Sequence, residues 1–144
     1  MDIAIENARP NDADAIVKLL EENHLPLDGL REHLETAVVA RRGGEVLGVA
    51  ALEVYGQSVL LRSVAVAESM RGKGLGGRLT DAALALARHY AASTAFLLTT
   101  TAAGFFPRFG FTPIDRIHVP DAVKESVEFT AACPSSALVM RASL

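Results

Sequence analysis

The chain has 144 residues, 50% of them hydrophobic, and a formal net charge of −3, which is enough for one domain with a core and too little for two. The acidic balance argues against a nucleic-acid partner held by electrostatics, and no apolar run approaches the roughly 18 residues of a membrane span. The single cysteine, Cys133, excludes an internal disulfide and a cysteine-based metal site, and acids without an apolar stretch in the first residues lead us to expect no signal peptide and a cytoplasmic enzyme or binding domain.

Ile3, Ile5 and Ala8 alternate weakly with polar residues, as in a first strand. Arg9-Pro10-Asn11-Asp12 offers a helix start, with proline and acid in the opening turn. Ile16, Val17, Leu19 and Leu20 give that helix one apolar face, and it stops near Asn23-His24-Leu25-Pro26. Residues 27–35 read as a short second helix or a loop. Thr36 to Ala40 form a strand, Gly43-Gly44 a hairpin turn, and Val46 to Val54 its partner. A turn over residues 55–58 leads to a strand over Val59 to Ala67. Beyond the next loop, Leu75, Leu79, Ala82, Ala83, Leu86 and Ala87 share one helical stripe. Phe96 to Thr99 is a buried strand, Ala102 to Phe109 a short helix capped by Gly110, and Phe111 to Ile114 extended chain. Val123 and Val127 set a helix over Pro120 to Phe129, and Ala137 to Met140 is a last strand. The sum is an α+β domain, one unit over residues 1–144, with a central mixed, mostly antiparallel sheet and helices on both faces.

Residues 64–79 carry the most chemistry. Val64-Ala65-Val66 runs into a loop holding Arg71, Gly72, Lys73, Gly74, Gly76 and Gly77, and an alanine-rich helix follows. Backbone N–H groups at a helix N-terminus favour an anion through unsatisfied donors and the helix dipole. The glycines let a phosphate approach them, and Arg71 and Lys73 add positive charge. A P-loop, Gly-x-x-x-x-Gly-Lys-Ser/Thr, does not fit. The dinucleotide spacing Gly-x-Gly-x-x-Gly is missed too, and the next strand ends in threonines rather than an acid. A glycine-rich turn without ligand is the competing reading.

Arg71-x-x-Gly74-x-Gly76, directly after Val64-Ala65-Val66, resembles the coenzyme A pyrophosphate loop of the GNAT superfamily of N-acetyltransferases. Residues 99–111 are similar to that superfamily's Asn-x-x-Ala-x-x-Phe-Tyr-x-x-x-Gly-Phe, with Thr99 at the asparagine and Phe106 at the tyrosine. The resemblance covers nearly the whole chain. It implies acetyl-CoA as co-substrate, with no metal. The pyrophosphate would sit on the N–H groups of Arg71 through Gly77, Leu75 included, and the pantetheine arm along Val64, Ala65 and Val66 of a strand splayed from its neighbour. Thr99, Phe105 and Phe106 would stand beside that arm, with Phe109 and Phe111 as core aromatics. The phrases at residues 25–30, 61–66, 97–102 and 133–137 resemble a narrower branch, the arsenic-resistance N-acetyltransferase-like proteins. That branch implies a glutamate-like arsenical or phosphinic amine as acceptor. Domains of the superfamily often pair, so a homodimer is compatible with the resemblance.

Acetyl transfer needs a positioned neutral amine, a proton sink and a donor for the carbonyl oxygen. The Val64 N–H is the natural donor. Strand alternation places Arg62, Val64 and Val66 on one face, and Arg62 has two readings: an anchor for an anionic acceptor, or a structural ion pair with Glu53. The superfamily's usual glutamate base is replaced by Leu60, leaving Glu53 or a water. Phe106 cannot donate a proton as the usual tyrosine does, and a thiolate leaves tolerably without one. Arg116 and His118 have two readings, the acceptor side of the site or the surface; Ser126 and Glu128 read as a solvated helix face, and Thr101 as a helix cap. Cys133 is a buried filler or a ligand for a soft arsenic centre. The leading reading is an acetyl-CoA-dependent N-acetyltransferase acting on a small amine. Against it stand a non-catalytic acyl-CoA-binding sensor, a protein or peptide N-acetyltransferase, and a metalloid-binding protein.

Overall fold

The computed structural model describes residues 2–132 and 136–144; Cys133 lies outside them. Among the described residues seven strands form one sheet: β1 (Ala4–Asn7), β2 (Ala37–Arg42), β3 (Glu45–Tyr55), β4 (Ser58–Val66), β5 (Thr94–Thr99), β6 (Thr112–Pro113) and β7 (Leu138–Ser143), in the order β1-β2-β3-β4-β5-β7-β6. Every neighbouring pair is antiparallel except β4 and β5. The expected mixed α+β architecture is therefore present. Helix α1 (Ala13–Glu22) covers one face and α2 (Leu75–His89) the other.

The alternation of β2 and β3 explains the two layers. Val39 and Val49 pack with Ile16, Leu19 and Leu20 of α1, whereas Val38, Ala50 and Leu52 pack with Leu75, Leu79 and Ala83 of α2. Complete burial of Leu79 alone contributes about 2 kcal/mol. The α2 stripe is set slightly apart from the expected one. Thr80 and Leu84 are buried, while Ala82 and Leu86 lie at its margin. The helix approaches the sheet closely at Gly48, where a Cβ would stand 2.6 Å from Leu79 Cδ1.

Two helices are shorter than the sequence leads us to expect. Between Ala102 and Phe109 a hydrogen-bonded turn over residues 103–105 leads into one short helical piece, the 3-10 segment Phe106–Phe109, before the left-handed Gly110. Pro107 cannot donate to the preceding turn, so a helix cannot run through from Ala102. The stretch Pro120 to Phe129 divides into a single turn, α3 (Asp121–Lys124), and a wide turn over Glu128–Ala132. The Ser126 Oγ accepts from Phe129 N at 3.4 Å, a local side-chain bond that competes with a regular helix.

At the corner where β1 leads into α1, Asp12 Oδ2 accepts from Arg9 N at 2.8 Å, and Arg41 grips Asp12 with both arms at 3.0 and 2.7 Å. The Arg41 fork holds the Asp12 carboxyl below its ordinary value of 3.8; burial opposes this and the Arg9 N–H assists. The folded value lies below the unfolded one. The corner's contribution is therefore complete above the ordinary carboxylate range and is lost as pH falls through the folded value. Replacing Asp12 with Asn is expected to lower stability at neutral pH by about 1–3 kcal/mol and to flatten the acid limb. Urea midpoints followed from neutral pH down through the carboxylate range check both.

Helix α1 ends with Leu25 N donating to Leu20 O at 2.9 Å and His24 N to Glu21 O at 3.1 Å, around a left-handed His24 with φ 57°. A glycine is the favoured residue at such a position. His24→Gly is expected to stabilise by up to about 1 kcal/mol, some 2–4 °C in Tm by calorimetry.

Candidate active site

Strands β4 and β5 pair only over Ser58–Leu60 with Thr94–Phe96. Beyond that they part, because β5 stays in register with β7 over its whole length while β4 bends. The bend is a bulge: the β3–β4 register slips between Val49 and Ala51, and Ser63 takes φ 59°. The bulge overturns the expected common face of Arg62, Val64 and Val66. Val59 and Leu61 before it, and Val64 and Val66 after it, all face the α2 layer. Arg62 points to the opposite side, as Leu60 does in its cluster with Phe96 and Val119. One extra residue exchanges the faces.

A cleft of about 300 Å³ opens in the gap. Its walls include Arg62, Ser63 and Val64 from β4, Thr99 to Ala102 and Phe106 from the far side, Asn23 to Pro26 from the end of α1, and Glu128. Arg62 is 3% exposed. Its Nη1 donates to Glu53 Oε2 at 2.7 Å, its Nε to Ser63 Oγ at 3.1 Å, and its Nη2 to Pro26 O at 3.4 Å. Glu128 Oε2 stands 3.3 Å from the Arg62 Nε. Glu53 is 1% exposed, also accepts from the Tyr55 hydroxyl, and has His33 Nε2 at 3.6 Å. Burial, and then the hydrogen bond to Glu53, push the Tyr55 phenol above its ordinary value. Among the described residues no buried side-chain nitrogen or oxygen lacks a partner. The ion pair between Arg62 and Glu53 is thus formed, and Glu53 itself is not in the cleft wall.

Two residues assigned to a solvated helix face are buried instead. Ser126 and Glu128 are each 4% exposed, and Glu128 lines the cleft. The wide turn that replaces the expected helix aims it inward, a placement that no local periodicity signals. Thr99, rather than Thr101, caps the following turn, its Oγ1 accepting from Ala102 N at 2.9 Å. Arg116 donates to Ala137 O at 3.0 Å and lies over Phe129, and His118 is exposed; neither lines the cleft.

A second cavity, about 410 Å³, lies at the N-terminus of α2. Val66, Arg71, Gly72, Gly74 to Gly77, Phe105 and Arg108 bound it, and Lys73 does not. Gly74, the residue before α2, has φ 79°, and Gly72 has φ 77°. A Cβ on either would meet no atom within 4 Å, so both backbones open onto free space. The first turn of α2 adds N–H groups with no intrahelical acceptor. Arg108, stacked 4.8 Å over the Phe105 ring, supplies a cation that the loop motif does not contain. An anion of pyrophosphate size suits this cradle in shape and charge.

Residues 33–113 match the family model of the acetyltransferase (GNAT) domain. The chain belongs to that family. It is 32% identical over 130 residues to an uncharacterized N-acetyltransferase of Chlorobaculum tepidum, covering 85% of this chain and 83% of that one. An amino-acid acetyltransferase of an Enterobacter species is 29% identical over 87% of this chain, which spans 30% of that longer protein. A Mycobacterium tuberculosis protein solved in complex with CoA superposes with a TM-score of 0.84 at 28% identity, covering 98% of this chain and 99% of the other. This GNAT protein is accordingly an acyltransferase, an N-acetyltransferase that uses acetyl-CoA as co-substrate. Among the described residues no group of three or more His, Cys, Asp or Glu could hold a metal, and no helix is long and apolar enough to cross a membrane.

Proposed function

We propose that the acceptor is a small amino-acid-like amine bearing an acidic group, a class that includes arsenical and phosphinic analogues of glutamate. The observation that carries this reading is the pairing of Arg62 with Glu128, 3.3 Å apart, in the wall of a cleft of about 300 Å³. The Arg62 side chain is buried behind the wall, so its positive field favours the acidic group of an acceptor while the Glu128 carboxylate favours the ammonium, and the volume suits a small molecule. The name of the Enterobacter relative supports the same class.

Acetyl-CoA supplies an activated acetyl thioester. In this reading the backbone of Arg71 through Gly77, with the Arg71 and Arg108 side chains, holds the pyrophosphate, and Lys73 adds to the local positive field. The main chain of Val64, Ala65 and Val66 takes the pantetheine arm where β4 and β5 part. Thr99 shapes the far wall, and Phe105 and Phe106 cover the arm with apolar surface. The Val64 N–H donates to the acetyl oxygen as it gains negative charge. The acceptor ammonium must lose a proton before it attacks. Glu128 lines the cleft and receives it directly or through a water, while Glu53 keeps Arg62 in place. Phe106 brings no proton to the departing sulfur, which leaves as thiolate, and the second proton of the acylated nitrogen passes to solvent.

The test is thiol release from acetyl-CoA against glutamate-like arsenic and phosphinic acids, plain amino acids, polyamines and a peptide. Turnover concentrated on the acidic amino-acid analogues is the expected result. Turnover on polyamines or the peptide alone overturns this assignment.

A further inference from the structure

Asn23, at the end of α1, belongs to the wall of the acceptor cleft, yet its side chain bonds a residue that lines the other cavity. Its Oδ1 accepts from Arg71 Nη2 at 2.9 Å. Its Nδ2 donates to Leu19 O at 2.8 Å and to Val66 O, the last residue of β4, at 3.4 Å. One carboxamide thus ties the end of α1, the end of β4 and the phosphate loop. The next residue is the left-handed His24, and Leu25 and Pro26 continue the cleft wall. Arg71 lines the cavity at the α2 N-terminus and is otherwise exposed.

We propose that Asn23 is a positioning residue that couples the two half-sites, so that coenzyme seated against Arg71 fixes the acceptor wall at residues 23–26. The inference rests on the coenzyme seat described above. A guanidinium has five donors in a planar fork, so Arg71 can serve an anion and Asn23 together. An exposed hydrogen bond on a long side chain is weak by itself because closing it costs rotamer entropy. An anion that has already immobilised Arg71 removes most of that cost, and the latch tightens. By linkage, an occupied acceptor cleft strengthens coenzyme binding by the same factor.

The experiment is hydrogen exchange with and without coenzyme A, alongside calorimetric affinity for coenzyme A. It compares the native chain, Asn23→Ala and Asn23→Asp. In the native chain, coenzyme A is expected to slow the amides of residues 24–30 by about fivefold or more. Asn23→Ala should lose that slowing, and by the same linkage its affinity for coenzyme A should fall by about fivefold. Asn23→Asp keeps an oxygen for Arg71 and should retain it, a rescue that a purely structural role for the carboxamide would not produce. Protection of residues 71–77 without any change at 24–30, or slowing that persists in Asn23→Ala, overturns the coupling. Coenzyme A that binds yet protects neither segment overturns the seat itself.

Discussion

Gly74→Glu is expected to abolish coenzyme A binding and leave the fold standing. The backbone at Gly74 has φ 79°, immediately before the first residue of α2. A Cβ there meets nothing within 4 Å, so the new side chain is not forced into the core. It projects into the space where the anion would sit, and its own carboxylate takes the favourable place beside the helix N-terminus. Coenzyme affinity should fall by about a hundredfold or more, combining lost donors, steric exclusion and like-charge repulsion. The cost to stability is the left-handed conformation of a residue with a side chain, about 1 kcal/mol. Gly74→Ala carries that same strain without the charge, so it separates the terms. It should lower Tm to a similar extent and weaken coenzyme binding far less. Calorimetric titration with coenzyme A, paired with thermal unfolding of both variants, provides the measurement. Unchanged affinity in Gly74→Glu would remove the loop from the coenzyme site.

The contrast between this loop and the rest of the site shows what a sequence reveals. The loop is legible because its signals are local and redundant. β-branched residues precede it, glycines fill it and a helical stripe follows. The two helical layers are legible for the same reason, since burial in β2, β3 and α2 follows period and composition. The orientation of Arg62 was not. A bulge adds one residue to an apolar strand and leaves no mark in its composition, yet it turns every following side chain over. Glu128 was misplaced because its burial depends on an arginine 66 residues away in sequence, together with a local Ser126 bond that interrupts a helix. Asn23 looked like helix-end punctuation. Its second contact, with Arg71, lies 48 residues on. Pro107 is the exception, since a residue without an N–H to donate is visible in the sequence as a breaker of any helix running from Ala102.

Arg62→Ala is expected to destabilise the protein by about 3–5 kcal/mol, because it leaves a buried carboxylate without its cation. Glu53 and Arg62 side chains are 1% and 0% exposed, and their ion pair is 2.7 Å long. The lost guanidinium also surrenders bonds to Ser63 Oγ and Pro26 O, which hold the bulge and the cleft wall. The expected fall in Tm is about 10 °C. An arginine that served only to anchor an acceptor would leave Tm in place and raise the acceptor KM. Partial survival of the fold permits both readouts on one variant. The double variant Arg62→Met with Glu53→Leu removes the pair together, and it should be less destabilised than the two single changes added. A coupling energy of at least about 1 kcal/mol in that cycle assigns the cost to the pair itself. Simple additivity would mean that Arg62 acts through its cleft-facing contacts, and the anchor reading of Arg62 would then take precedence. Coupling on that scale makes the pair a rigid floor. It orients the Arg62 Nε edge toward Ser63 and Glu128, and the acceptor site inherits its geometry from a bond that the substrate never touches.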